Sequence, residues 1–160
     1  MRTALVVVVP EAETLVGALR ERYDPAADMG IPAHVTLVFP FGDDAEELEG
    51  LFSASAPFDF ELARTARFED EPVLYLAPEP AEPFVRLVES LAARFPDFPP
   101  YDGAHDTIVP HLTVGWSVPA GVEAALAPQL PIRARAEHVT WFEEWEPGRW
   151  RERRRFALGG

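Results

Sequence analysis

Two short polar pairs with the same spacing are the residues of this chain best suited to chemistry. His34 and Thr36 stand two positions apart, and His111 and Thr113 repeat that arrangement nearly half a chain later. An imidazole with an ordinary pKa near ~6.5 can take up or release a proton close to neutral pH. A threonine hydroxyl can donate a hydrogen bond to an anionic oxygen. Together the two pairs can supply a general acid, a general base and two donors for an anionic group.

The residues around both pairs predict buried strands. A proline lies just upstream of each histidine (Pro32 and Pro110), and apolar residues separate and follow the polar ones. Successive side chains of a strand point to opposite faces, so each histidine shares one face with its threonine. The residues expected on the buried face are Val35, Leu37 and Phe39 in the first copy and Leu112, Val114 and Trp116 in the second.

The pattern along the chain predicts the same order of elements twice. In the first half we expect strand 4–9, helix 11–23, the first motif strand, helix 45–53 and strand 58–63. In the second half we expect strand 73–77, helix 82–95, the second motif strand, helix 120–127, strand 132–142 and a last strand over 150–158. An internal duplication of an α+β unit explains this order. We therefore expect a single domain of two pseudo-symmetric lobes, about 1–68 and 69–160, that face each other across a groove.

Composition and charge restrict the kind of ligand. The chain has 160 residues, is 48% hydrophobic and contains no cysteine, which excludes disulfides, thiolate metal sites and cysteine nucleophiles. Its net charge of −13 opposes broad binding to nucleic acid, but a small phosphate can still bind where positive groups converge. The apolar run 4–9 is too short for a membrane span or a signal sequence. We expect a cytoplasmic monomer with no membrane contact.

The repeated motif resembles that of the two-histidine phosphoesterase superfamily, which includes bacterial 2′-5′ RNA ligase-like proteins and cyclic nucleotide phosphodiesterases. The mark of that family is histidine, any residue, threonine or serine, and an apolar residue, occurring twice. Here it reads HVTL at 34–37 and HLTV at 111–114. The similarity extends to the first strand and helix, to VLYLAP at 73–78 and to RRRFALG at 153–159. It covers nearly the whole chain.

The resemblance implies a fold, a chemistry and four site residues. It implies a bilobed α+β fold with a central cleft, which for this chain we expect as two β-sheets with flanking helices. It also implies action on a 2′,3′-cyclic phosphate, a 2′-5′ linkage or a related phosphodiester, with no metal and no other cofactor. The substrate would be a small nucleotide or an RNA end, and the matching residues are His34, Thr36, His111 and Thr113. Which histidine is the base stays open.

Two other functions remain possible at this point. The chain could be a nucleotide- or RNA-end-binding module of the same fold without turnover. It could also be a metal-dependent hydrolase using both motif histidines and a carboxylate, although no fixed carboxylate spacing supports this.

Further residues are weaker candidates for substrate contacts. Aromatic faces can stack on any nucleobase, although core packing is the more common role. A third triplet, His138-Val139-Thr140, lies on the third strand of its half and is interpreted as a coincidence. The arginines of 149–155 are expected mainly to neutralise nearby carboxylates. The candidates for substrate contact are Tyr75, Tyr101, His105 and Trp150, and Phe39 and Phe41 are further aromatics that could stack.

Overall fold

The computed structural model describes residues 2–42, 46–103 and 107–159. The first half contains β1 (Thr3–Val8), α1 (Glu13–Tyr23), α2 (Pro25–Asp28), β2 (His34–Phe41), α3 (Leu48–Ser53) and β3 (Phe58–Arg67). The second half contains β4 (Val73–Glu79), α4 (Glu82–Arg94), β5 (Leu112–Trp116), α5 (Ala120–Leu126), β6 (Ile132–Ala136), β7 (His138–Glu146) and β8 (Arg149–Ala157). The α+β class is confirmed, and the predicted strands and helices occur in the predicted order, with helix α2 and one additional strand that were not predicted.

The described strands form one antiparallel sheet in the order β6-β3-β4-β5-β2-β1-β7-β8. The expectation of two sheets is therefore wrong. The two motif strands, β2 and β5, are neighbours at the centre of this sheet and join its two sides. They do not face each other across a groove.

The two halves of the chain exchange elements. Strand β3 comes from the first half but pairs with β4, and β7 comes from the second half but pairs with β1. Helix α1 packs against β5, while α4 packs against β2. Each motif strand is thus held by the main helix of the other half. That the halves are pseudo-symmetric products of a duplication stays a prediction.

The segment 132–142, predicted as one strand, is two strands that part at Glu137. Strand β6 pairs with β3 at one edge of the sheet, whereas β7 pairs with β1 near the other. The apolar positions change phase at this point, from 132, 134 and 136 to 139 and 141, and this change is the sign of the break in the sequence.

The main core lies between one face of the sheet and the helices. Buried residues of the strands pack there against Val16 of α1, Phe52 of α3, Leu126 of α5 and the apolar face of α4. The face of β1 opposite to this core carries a second, smaller apolar cluster, formed by Ala4 and Val6 with Phe142 and Trp150. Because the sheet is buried against helices on one face only, its other face is available for a site.

Both motif strands bulge at the same distance from their histidine. Leu5 pairs with Val38 and Val6 with Thr36, so Leu37 is an extra residue in β2. In β5, Leu74 pairs with Gly115 and Tyr75 with Thr113, which leaves Val114 as the extra residue. A bulge reverses which side chains face the core further along the strand.

The bulges correct the predicted position of two aromatic residues. Phe39 and Trp116 were expected in the core, but their exposed fractions are 38% and 44%. Val38 and Gly115 are buried beside the inserted residues. The period-two pattern could not reveal this, because both strands remain apolar through the bulge.

Gly115 allows α1 and β5 to approach closely. A Cβ atom at this position would lie 2.3 Å from the Cβ of Tyr23 and 3.0 Å from its carbonyl carbon. We therefore expect Gly115→Ala to lower the free energy of unfolding by about 1–3 kcal/mol through overpacking. Denaturant unfolding measures the change.

Gly50→Ala is the matched control. Gly50 is exposed within α3, and apart from its chain neighbours and the backbone of its own helix no described atom lies within 4 Å of the added Cβ position. This change should raise stability by roughly 0.5–1 kcal/mol, because alanine loses less backbone entropy in a helix. Equal stability of Gly115→Ala and the unchanged protein would contradict the packing described.

Candidate functional site

The two motifs form one cluster because their strands are paired. Val35 of β2 is the antiparallel partner of Leu112 of β5, and both side chains are fully buried. Extending this register by one residue each way puts His34 beside Thr113 and Thr36 beside His111. Directly opposed Cβ atoms lie about 4.5–5.5 Å apart and diagonal ones about 7–8 Å, so the two histidines are diagonal neighbours on one face. All four side chains are half-buried.

Both imidazoles make the same hydrogen bond to the backbone. His34 Nδ1 is 2.7 Å from the carbonyl oxygen of Pro32, and His111 Nδ1 is 2.7 Å from that of Val109. A carbonyl oxygen can only accept, so Nδ1 carries the proton and donates in each ring. In the neutral rings Nε2 is then the nitrogen with a free lone pair, as a general base requires.

Burial lowers the pKa of both histidines. The pKa of His34 is lowered to about 4, mainly by desolvation in the cleft; the hydrogen bond to Pro32 opposes the shift, the positive charges of Arg20 and His111 add to it, and the charge of Glu13 opposes it. Desolvation also lowers the pKa of His111, while its bond to Val109 and the charge of Glu71 oppose the shift. Both rings are therefore neutral at pH 7 in the free protein.

The two threonine hydroxyls have no hydrogen-bond partner within the described part of the chain. Each lies on the same face as the two imidazoles and is only half-buried. A hydroxyl in this position can donate to an oxygen atom of a bound group.

A cavity of about 610 Å³ opens over the motif residues. His34, Thr36 and His111 form one part of its wall. The other part is largely apolar and includes Met29, Ile31, Phe39 and Trp150. The site therefore combines a polar centre with an apolar extension.

An aromatic pair with a cation above it marks the far end of this extension. The rings of Phe39 and Trp150 meet edge to face with centroids 5.7 Å apart. The Arg2 guanidinium lies 5.6 Å from the centroid of Phe39 and 5.8 Å from that of Trp150. Arg2 is also ion-paired with Glu144 at 2.6 Å.

A second cavity, of about 490 Å³, adjoins the other side of His111. Its wall includes Phe68, Tyr101, Asp70 and Glu71. The two carboxylates make this side of the site negative, unlike the apolar extension. Tyr101 borders both cavities.

The four further candidates for substrate contact lie in different surroundings. Trp150 and Tyr101 line the cavities, whereas Tyr75 is buried with its ring edge against His111, at a centroid distance of 5.5 Å. His105 lies outside the described residues. Phe41, the further aromatic candidate, is buried in the main core.

The third His-x-Thr triplet borders a different recess. His138 is exposed on β7 and, with Thr140, lines a cavity of about 310 Å³ together with Arg135 and Arg155. None of these residues lines either cavity beside the motif histidines. The arginines of β8 are ion-paired, as expected, for example Arg151 with Glu143 and Arg154 with Glu49.

Some residues of the site gave no signal in the sequence. Arg2, Met29 and Ile31 reach the cavity from the chain start and from the segment after α2, and only the folding of that segment over β1 brings them there. Glu13 accepts a hydrogen bond from the amide of Ala33, next to the first motif. No spacing rule connects these residues to the histidines.

Within residues 2–42, 46–103 and 107–159, no group of three or more His, Asp or Glu side chains is arranged to hold a metal ion. In the same ranges, no helix is long and apolar enough to cross a membrane.

Comparison with known proteins agrees with this architecture. The chain is 26% identical to the candidate phosphoesterase GK0864 of Geobacillus kaustophilus, with 100% of this chain and 98% of that protein covered. The crystal structure of TT0787 of Thermus thermophilus has a TM-score of 0.64 at 25% identity, with 100% and 99% of the two chains covered. E. coli LigT complexed with 3′-AMP has a TM-score of 0.64 at 19% identity, with 99% and 98% covered, and shows the same fold.

A family model also matches most of the chain. It describes the 2′-5′ RNA ligase superfamily and matches residues 8–151, which include both motifs. The chain therefore belongs to the 2′-5′ RNA ligase superfamily, the two-histidine group of phosphoesterases and ligases that its paired motifs resemble.

Proposed function

We propose that the protein is a phosphoesterase that hydrolyses a 2′,3′-cyclic phosphate or a 2′-5′ phosphodiester of a nucleotide or RNA end without a metal ion. His34 and His111 are its acid–base pair, and Thr36 and Thr113 bind the phosphate. The observation that carries the proposal is the identical bond of each Nδ1 to the carbonyl two residues before it. It leaves two Nε2 atoms at one cavity, held in the same tautomer.

The reaction needs one proton removed and one proton delivered. A water oxygen forms a new bond to phosphorus while the bond to the ribose 2′ or 3′ oxygen breaks. One Nε2 takes the proton of the water, and the other, protonated, gives its proton to the leaving oxygen. The diagonal placement of the rings on neighbouring strands supports attack and departure on different sides of the phosphate. In ligation, the 5′-hydroxyl of a second RNA end would take the place of water: it would lose its proton to one Nε2 while the leaving 3′ oxygen gains a proton from the other, which leaves a 2′-5′ linkage.

The surroundings of the phosphate favour charge on one ring. The negative charge of the bound phosphate raises the pKa of both histidines and offsets the desolvation that lowers them in the free protein. The unpartnered hydroxyls of Thr36 and Thr113 can donate to the non-bridging oxygens. These donors act in a partly water-excluded site, where they are worth more than at the surface.

The apolar extension fits the nucleoside part of the substrate. Phe39, 38% exposed and packed edge to face on the buried Trp150, offers flat surface for any nucleobase. E. coli LigT, which has the same fold, has been crystallised with 3′-AMP and with ATP. These complexes support a nucleotide-sized substrate for this protein.

For the proposed reaction, the first prediction concerns the two histidines. Since a proton-transfer group typically contributes about 10²- to 10⁴-fold, His34→Ala or His111→Ala should raise the barrier by roughly 3–5 kcal/mol. Thr36→Ala and Thr113→Ala should cost less. The assay is hydrolysis of a nucleoside 2′,3′-cyclic phosphate with a chelator present.

His138→Ala is the matched control, because it removes the histidine of the third, exposed His-x-Thr triplet and should keep full activity. Full activity of either motif variant would refute the assignment. Binding of the cyclic nucleotide without turnover would favour the binding module, and activity lost to chelator and restored by zinc would favour the metal-dependent hydrolase.

The second prediction concerns pH. Activity requires one neutral and one protonated imidazole, so the pH profiles of kcat and of kcat/KM should both be bell-shaped. Because desolvation lowers both pKa values in the free protein, the optimum of kcat/KM should lie below pH 6.5. The optimum of kcat should lie at higher pH, since the bound phosphate raises the pKa values. Steady-state kinetics from pH 4 to 9 measure both, and a kcat/KM optimum above that of kcat is the contrary result.

The third prediction concerns the binding of the nucleobase. Phe39→Ala should raise KM for a nucleoside cyclic phosphate by about 5- to 100-fold, the range expected for one lost stacking contact. The KM for ribose 2,3-cyclic phosphate, which lacks the base, should not change. Trp116→Ala is the control, because Trp116 holds the same place after the second motif, is equally exposed and lines neither cavity. Equal increases in KM for both substrates would show that the nucleobase binds elsewhere.

A further inference from the structure

The peptide units in front of the two histidines are held in different ways. In both copies the carbonyl two residues before the histidine accepts from Nδ1. The orientation of that peptide unit therefore sets the orientation of the ring. The sequences differ at this point, Pro32-Ala33-His34 in the first copy and Val109-Pro110-His111 in the second.

In the first copy, Glu13 of α1 holds the peptide unit through its amide. The unit that carries the Pro32 carbonyl also carries the N–H of Ala33. That N–H donates to Glu13 Oε1 at 2.6 Å. The same peptide plane is thus fixed at its donor by Glu13 and bonded at its acceptor to His34.

In the second copy, the corresponding peptide unit cannot be held through an amide N–H. The unit that carries the Val109 carbonyl ends at the nitrogen of Pro110, which has no hydrogen to donate. Here the hydroxyl of Tyr101 donates to the Val109 carbonyl oxygen at 2.8 Å and accepts from the Val109 amide at 3.0 Å. A carbonyl oxygen has two lone pairs, so it accepts from Tyr101 and from His111 together.

The backbone of Tyr101 supports this role. Tyr101 and Asp102 have φ values of 53° and 54°, in the left-handed region that residues other than glycine rarely adopt. Such strain persists where surrounding contacts determine the conformation. The Tyr101 ring also lies nearly parallel to the His111 ring, with centroids 6.3 Å apart and planes inclined by 24°.

We propose that Glu13 and Tyr101 are positioning residues for His34 and His111 respectively. Each fixes the peptide unit that binds Nδ1 and so keeps Nε2 as the reactive nitrogen of its ring. The proposal rests on the proposed function, because it assigns these residues to the two catalytic histidines. Neither residue belongs to the family motif.

Tyr101→Phe tests the second copy. The change keeps the ring but removes the hydroxyl, so the Val109 carbonyl can turn away from His111. We expect kcat to fall by about 10- to 100-fold, in the range that a small misplacement of a catalytic group costs. KM should change by less than about threefold, because the substrate pocket is retained. Tyr23→Phe, which removes a tyrosine hydroxyl from a residue that lines neither cavity, should leave kcat unchanged.

Glu13→Ala and Glu13→Gln test the first copy. Alanine removes the acceptor for the Ala33 amide, whereas glutamine keeps an oxygen acceptor without the charge. We therefore expect kcat to fall by a similar factor in Glu13→Ala and to recover most of its value in Glu13→Gln. Glu21→Ala, on the same helix and exposed, is the control for loss of a carboxylate from α1.

The tautomers of the two rings give a readout that does not depend on turnover. In ¹H–¹⁵N spectra of the histidine rings, both motif histidines should be protonated at Nδ1 at neutral pH. Tyr101→Phe should raise the share of the Nε2–H form for His111 only, and Glu13→Ala should do so for His34 only. The unaffected ring in each variant shows that the fold is intact.

The outcomes separate this proposal from the proposed function. Unchanged tautomers and unchanged kcat in Tyr101→Phe and Glu13→Ala would overturn the positioning role while the motif histidines remain essential. The expected tautomer shifts in a protein that hydrolyses no phosphodiester would support the positioning role and refute the proposed reaction. A loss of Nδ1 protonation at both rings in either variant would also overturn the pairing of each residue with one histidine.

Discussion

The short antiparallel contact between β2 and β5 is the constraint on which the site depends. Val35 and Leu112 are paired at the centre of the sheet and fully buried, so the residues on either side of each must point to the other face. That face receives both histidines and both threonines. A slip of either strand by one residue would put its histidine and its threonine into the core. The crossed packing of α1 on β5 and α4 on β2 opposes such a slip.

In the proposed reaction, the burial of the two histidines also sets their protonation state. Desolvation in the cleft lowers the pKa of both histidines. The hydrogen bond from each ring to a backbone carbonyl opposes this shift. The free protein thus holds two neutral bases. Under the proposed mechanism, a protonated ring becomes favourable when an anionic group binds between the two rings, so the acid–base chemistry would depend on a bound phosphate.

The two walls of the cleft differ in a way that composition could not show. The whole chain is strongly acidic, yet the wall beyond Thr36 is apolar and contains Phe39 and Trp150, while Asp70 and Glu71 lie on the other side of His111. A flat apolar group is favoured on one side and additional phosphates are disfavoured on the other. This asymmetry fits a small nucleotide or a chain end better than the middle of a polynucleotide.

The sequence by itself determined the order of the elements, the paired motifs and the face on which each histidine lies next to its threonine. These features are local, because they depend on the two-residue period of a strand and on residues close in the chain. The pairing of β2 with β5, the separation of β6 from β7 and the bulges that turn Phe39 and Trp116 outward were decided by the tertiary structure. They depend on which strands become neighbours and on how an inserted residue is accommodated, and a pattern of apolar residues specifies neither the partner of a strand nor the place of a bulge. No spacing rule connects Glu13 with His34 or Tyr101 with His111 either. Only the packed fold brings these two residues to the peptide units that they bond.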